Sequence, residues 1–208
     1  MKPVFRFLAI LSLALATLGQ PTSASALSSF KFNGLSANTS FESVDASGCI
    51  LSRLDVFTTE GMVRFSPGKK ELQSSTAIFL TQYDLCTDTL LLAAEGVKDL
   101  AEPDLQISSR LDSATLNTTV TMFDTLTGDT FDLSVDLSWL GIGPTRRQDS
   151  SFRFGDKVCR IMSSFKLTIR GAIATGTVTD GVTNFTPQDS FAGELISSNN
   201  RDMSIGCE

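Results

Sequence analysis

The feature that most constrains this chain is a two-residue alternation of apolar and polar side chains, written again and again along it. From Cys159 to Ile169 the odd positions carry Cys, Ile, Ser, Phe, Leu and Ile; the even ones are Arg160, Met162, Ser164, Lys166 and Thr168. Leu105, Ile107 and Leu111 alternate with Gln106, Ser108 and Arg110 in the same way, as do Ile50, Leu54 and Val56 with Arg53 and Asp55. A strand with one dry and one wet face has this period, and antiparallel sheets are its usual home. Thr76 to Tyr83 is apolar on both faces, which predicts a more central strand. Turn signals separate the runs: Gly61, Pro67-Gly68, Pro103-Asp104, Thr127-Gly128, Gly143-Pro144, Asp180-Gly181 and Pro187. Short strands with such punctuation predict an all-β fold, a mostly antiparallel sandwich or barrel. Leu90 to Ala101 also fits a short helix, but Gly96 argues against it, and the stretch reads as a strand followed by a turn. Ser28–Phe32, Ser150–Phe154 and Ser163–Leu167 share the pattern Ser-Ser-Phe-cation-apolar at irregular spacing, so no solenoid of fixed period is implied.

The stretch from Phe123 to Trp139 holds Asp124, Asp129, Asp132 and Asp136. Phe131, Leu133, Val135, Leu137 and Trp139 fall on one strand face, and Asp132 and Asp136 on the other. A turn centred on Thr127-Gly128 sets Val120 against Val135, Met122 against Leu133 and Leu116 against Trp139. A one-residue slip would wet half of that face, so a loop of two or four residues is expected. Asp124 and Asp129 flank the turn, where Asp accepts backbone hydrogen bonds. The competing reading is a calcium site at the hairpin tip; the acidic spacing of an EF-hand loop is missing, and the hairpin is preferred.

Lys2 and Arg6, the apolar run Phe7 to Leu18 and the small residues Ala24-Ser25-Ala26 have the layout of a secretory signal peptide. The run is about a dozen residues, short of the roughly 20 that a spanning helix needs. The expectation is cleavage after residue 26, a mature start near Leu27, one all-β domain over residues 27–208, no membrane span in the mature chain, and a secreted or periplasmic location. Removing two cations and no acids takes the formal net charge from −6 to −8. That balance speaks against nucleic acid or an anionic membrane as a partner, since phosphate contacts need a basic surface.

All four cysteines, Cys49, Cys86, Cys159 and Cys207, lie in the expected mature part. An even count in an exported chain reads as two disulfides with three possible connectivities. Sequence order favours Cys49–Cys86 with Cys159–Cys207 and leaves the crossed pairings open. A zinc site wants cysteines a few residues apart, which these are not.

The chain has no histidine, which removes Ser-His-Asp and Cys-His nucleophiles and the usual catalytic zinc ligand sets. Ser-x-x-Lys occurs at Ser28 to Lys31 and at Ser163 to Lys166, but residues three apart on a strand point to opposite faces. No cofactor, metal or catalytic constellation is identified. Paired carboxylates for glycoside hydrolysis stay formally possible. Sugar stacking has few aromatic platforms to work with: Trp139 is expected inward, leaving Tyr83 beside Asp84. Arg160, Lys166 and Arg170 make a cationic row along one strand, read as pairing across strands with acids such as Asp132 and Asp136. Asn38, Asn117 and Asn184 open Asn-x-Ser/Thr acceptor patterns, which matter only in a eukaryotic secretory route.

"LTQYDLCTDTLLLAAEG", "LNTTVTMFDTLTGDTFDLSVDLSW" and "TGTVTDGVTNFTP" together resemble stretches of small, uncharacterised exported bacterial proteins. The resemblance spans about half of the expected mature chain. It implies a bacterial, exported protein and carries no activity and no site residue. The function expected is that of an exported, non-catalytic module that binds an unknown protein or surface, or serves a structural role. The alternatives are a carboxylate-dependent glycoside hydrolase or sugar-binding domain, and a calcium-stabilised adhesion-type domain.

Overall fold

The computed structural model describes residues 28–205, apart from 67, 156–158, 188 and 189. The expected signal segment and Cys207 lie outside the described residues. Ten strands follow one another with no helix among them: β1 (Ser28–Val44), β2 (Ile50–Ser66), β3 (Lys70–Asp84), β4 (Thr89–Asp99), β5 (Leu105–Ile107), β6 (Ser113–Asp124), β7 (Thr130–Gly141), β8 (Arg146–Gly155), β9 (Arg160–Thr179) and β10 (Phe191–Ile205). The ambiguous stretch after Leu90 is strand, as the glycine argued.

All pairings are antiparallel, and β10 pairs with both β1 and β9. Eight strands therefore close on themselves in the order β1, β2, β3, β4, β6, β7, β9, β10, and of the sandwich and the barrel it is the barrel that forms. Closure removes the free edges that an open sheet would leave. The ring is uneven, because β4, β6 and β7 are 11 or 12 residues long while β1, β2 and β9 run to 17, 17 and 20. One end of the molecule is consequently a closed barrel. At the other end the long strands run on, joined by β8 along the first half of β9, as a six-stranded open sheet in the order β8, β9, β10, β1, β2, β3.

The closed half holds the core. Phe41, Leu54, Leu80 and Ala94 form one inward row; Met122, Leu133, Val135, Leu137, Trp139, Ala174 and Val178 complete it from the far wall. Between β4 and β6 only two residue pairs join the ladder, Ala94 with Asp124 and Glu95 with Phe123. Gly96 permits the close approach there, since a Cβ would lie 2.7 Å from Met122 Sδ. The chain between β4 and β6 turns in beneath the barrel as a floor, burying Leu100, Leu105, Ile107 and Leu111. The alternation at Leu105 to Leu111 thus yields only a three-residue strand. Leu111 leaves the strand with φ 59° and is still buried, because plugging the barrel mouth outweighs the cost of a left-handed backbone.

The β6–β7 hairpin keeps every expected apolar side chain on one face, but its register differs by two residues. Val120 faces Leu133, Leu116 faces Leu137 and Ala114 faces Trp139. The reason is Asp124. Its carboxylate accepts from Leu126 N at 3.0 Å and Thr127 Oγ1 at 2.9 Å, and Asp124 N donates to Asp129 O at 2.9 Å. A four-residue loop over 125–128 results, with Gly128 at φ 81°. Asp132 and Asp136 are exposed on the outer face, and Asp132 accepts from Thr121 Oγ1 at 2.8 Å.

The sequence argued for two disulfides; among the described residues the structure shows one. Cys49 and Cys86 are bonded with Cα atoms 5.3 Å apart, at the closed end of the adjacent strands β2 and β3. Their strands are neighbours in register, which selects this pairing over the crossed ones. Cys159 is itself disulfide-bonded and is not a free thiol, and its expected partner Cys207 lies outside the described residues.

Candidate binding surface

The inner face changes character row by row along the barrel axis. The row Phe191, Phe41, Leu54, Leu80 is apolar and buried. Two rows down come Leu195, Ala37, Thr58 and Thr76, still buried but half hydroxylic. Next are Ser197, Leu35, Glu60 and Ser74, then Asn199, Asn33, Met62 and Leu72. The row after that crosses all six strands of the open sheet: Ser151, Ser164, Arg201, Lys31, Arg64 and Lys70, each the direct partner of the next.

Four cations on four consecutive strands therefore stand side by side on one face. Strands are about 4.8 Å apart, and like charges placed directly opposite each other destabilise a sheet. All four are exposed, and none makes an ion pair among the described residues. Arg153 lies on the same face, opposite Met162. Ser151, Arg153, Met162, Ser164, Arg201 and Met203 line an open groove of about 620 Å3 at this end.

The apolar character that leaves the inner face reappears on the outer one. Phe30, Phe32, Val63, Phe65, Phe165 and Leu167 occupy the outward positions of the same strands. In the closed half the inward positions of β1 are Ala37, Thr39 and Phe41, so the dry side of that strand changes over near Gly34. Gly34 and its partner Gly61 let the Phe32 ring lie flat across the two strands: a Cβ on Gly61 would stand 2.6 Å from that ring. Phe30 packs on Phe65 with ring centroids 5.2 Å apart.

The row read from the sequence, Arg160, Lys166 and Arg170, does share a face of β9, but its expected acidic partners do not face it. Asp136 lies opposite Thr177, and Asp132 does not reach β9. Arg170 instead pairs with Asp112 and donates to Gly143 O at 3.1 Å, fastening the floor. Ser163 and Lys166 point to opposite faces of β9, as their spacing requires. Tyr83 donates its hydroxyl to Asp88, which raises its pKa. Lys31, Arg64, Lys70 and Arg201 went unnoticed in the sequence because they lie far apart on four different strands; only the register assembles them.

Carboxylates collect at the closed end. Asp45, Asp84, Asp124 and Asp180 each begin or flank a turn and accept backbone N–H bonds, from Ile50 at 2.9 Å, Cys86 at 2.8 Å, Leu126 at 3.0 Å and Val182 at 2.8 Å. For Asp45 and Asp124 those backbone bonds are the main cause of a lowered pKa; for Asp84 the Thr87 hydroxyl leads. Asp84 also lies beside Cys49 and Cys86, but the two sulfurs are bonded to each other and offer no thiolate for a metal.

One pair of acids meets at a cavity. Glu60, under the floor, lines a space of about 340 Å3 together with Glu102, Pro103, Leu105, Gln106 and Ile107. Burial raises the Glu60 pKa first, the Glu102 charge adds to it, and the Ile107 N–H offsets part of the rise. A carboxyl whose folded pKa is raised contributes stability that is fully present below its unfolded value and lost as pH rises through the folded one. Replacing Glu60→Gln keeps an acceptor for Ile107 and removes the charge. Its melting temperature is expected above that of the native chain at neutral pH, with the gap closing in acid; a constant gap across pH would show that the charge is not responsible.

Fold and surface together define a closed antiparallel β-barrel with an open cationic extension. No protein-family model matches the chain, and no curated protein matches it.

Proposed function

We propose that this is an exported, non-catalytic module that acts by binding, and that the open sheet rather than the closed barrel meets the partner. The supporting observation is the row Arg201–Lys31–Arg64–Lys70. Four cations in direct register, with no ion pair among the described residues, lower the stability of the sheet, and an anionic partner would reverse that cost. Export agrees with the signal-like first 26 residues and with the Cys49–Cys86 bridge, since disulfides persist in oxidising compartments.

Inositol hexakisphosphate, a compact polyanion, is a direct probe. A ligand at 100 times its dissociation constant adds about 2.7 kcal/mol, which for a chain of this size raises the melting temperature by about 5–10 °C. The shift should vanish in Lys31→Gln/Arg64→Gln, whose own melting temperature should hold or rise as like charges are removed. The reading fails if the polyanion shifts nothing.

A second reading, carboxylate-dependent glycan hydrolysis, has one observation in its favour: the Glu60–Glu102 cavity. Glycan turnover abolished by Glu60→Gln would establish it. The cavity holds no aromatic side chain on which a sugar could stack, so the binding reading is preferred.

A further inference from the structure

Among the described residues, three of the four exposed phenylalanines sit at the same end of the molecule as the cationic row, on the opposite face of the sheet. Phe65 is 56 % exposed, Phe152 56 % and Phe154 72 %. Phe152 and Phe154 lie near the end of the fully exposed edge strand β8; Phe65 is one residue from the last position of β2. Ile161, opposite Phe154, is 39 % exposed. Lys70 and Arg160 begin strands there, while the aspartate turns lie at the opposite end. Along the barrel axis the molecule runs from turn-holding aspartates at the closed end to the cationic row and the exposed rings at the open end, where Glu71, Asp149 and Asp202 share the sheet with the cations. The negative net charge conceals this arrangement, because it sums over both ends.

A soluble polyanion would use the cations and leave the rings idle. A bilayer with anionic phosphate headgroups uses both: basic side chains gain from the negative surface potential, and aromatic side chains enter the boundary between headgroups and acyl chains. Resting on the binding reading above, we infer that the open end of the barrel is a docking end for an anionic lipid surface, with Arg201, Lys31, Arg64 and Lys70 at the phosphate level and Phe152, Phe154 and Phe65 entering the interface. The end that carries the aspartate turns then points away from the membrane.

The test is co-sedimentation of the exported, processed protein with vesicles of phosphatidylcholine alone and of phosphatidylcholine mixed with phosphatidylglycerol. Binding should require phosphatidylglycerol and weaken as salt rises, since exposed charges are screened. Each basic residue near such a surface contributes about fivefold in affinity, so Arg64→Gln/Arg201→Gln should bind about 25-fold more weakly. Phe152→Ser/Phe154→Ser should also lose vesicle binding while keeping the full melting shift with inositol hexakisphosphate. Equal binding to neutral vesicles, or unchanged binding of either double variant, would overturn the inference. A shift with the soluble polyanion but no vesicle binding overturns the lipid surface and leaves the binding reading standing; neither response removes both.

Discussion

Trp139→Ala is expected to cost about 3–5 kcal/mol, the range for deleting a buried aromatic side chain, and to lower the melting temperature by about 10–15 °C. Trp139 is 2 % exposed and stands on β7 where that strand meets β9, opposite Ala174. Its ring spans the barrel interior to the far wall. Nε1 donates to Asn38 O on β1 at 3.2 Å, and the ring rests on Gly193 of β10, where a Cβ would come within 2.8 Å of Cδ1. Truncation would therefore open a cavity between three strands that the core cannot refill, and would leave the Asn38 carbonyl without its indole donor. Trp139→Phe separates the two effects: it keeps most of the volume and removes the hydrogen bond, worth about 1 kcal/mol. Leu140→Ala, one residue along and 63 % exposed on the outer face, should stay within about 0.5 kcal/mol. Thermal melts of the three variants decide the matter; a Trp139→Ala loss no larger than that of Leu140→Ala would mean the ring does not support the barrel.

The contrast between residues 139 and 140 was legible in the sequence, because alternation reports which side chains share a face. It placed Trp139 inward and Asp132 and Asp136 outward, and the structure agrees on each. Alternation does not report where a strand's dry face changes sides. On β9 the apolar side chains stand at odd positions in the first half, where Phe165, Leu167 and Ile169 are half-buried on the outer face, and at even positions in the second, where Ala172, Ala174 and Val178 are core. Both halves look amphipathic, and only closure of the upper ring fixes which half is inside. Register was legible to within one period of two: the apolar face excludes odd slips, but the choice among even ones fell to the side-chain bonds of Asp124. Arg170 shows the same limit, since Asp112 reaches it through a floor segment whose return path no local pattern encodes. Nor could the cationic row be read from single strands, because Lys31, Arg64, Lys70 and Arg201 meet only through three independent ladders. A charged row assembled in this way leaves no motif in the sequence.

Removing the Cys49–Cys86 bridge should have the other large effect, and for a different physical reason. The bridge closes a separation of 37 residues, the whole β2–β3 hairpin. In the chain-entropy account, cross-linking a loop of that length removes freedom from the unfolded chain equivalent to about 4 kcal/mol. The folded state should change little in Cys49→Ala/Cys86→Ala, because the ladder reaches the bridge without it: Ile50 pairs with Asp84, and Leu85 N donates to Cys49 O at 2.7 Å. The double variant is therefore expected to fold to the same barrel, melt about 10 °C lower, and unfold in urea with a steeper dependence on denaturant, since its unfolded state exposes more surface. Trp139→Ala should lower the midpoint with no such steepening, because it acts on the core and not on the unfolded chain. An unchanged melting temperature would place the stabilisation elsewhere in the ladder. An unchanged urea dependence with a lowered midpoint would place it in native contacts at the closed end, where Asp45 and Asp84 hold the two turns beside the sulfurs.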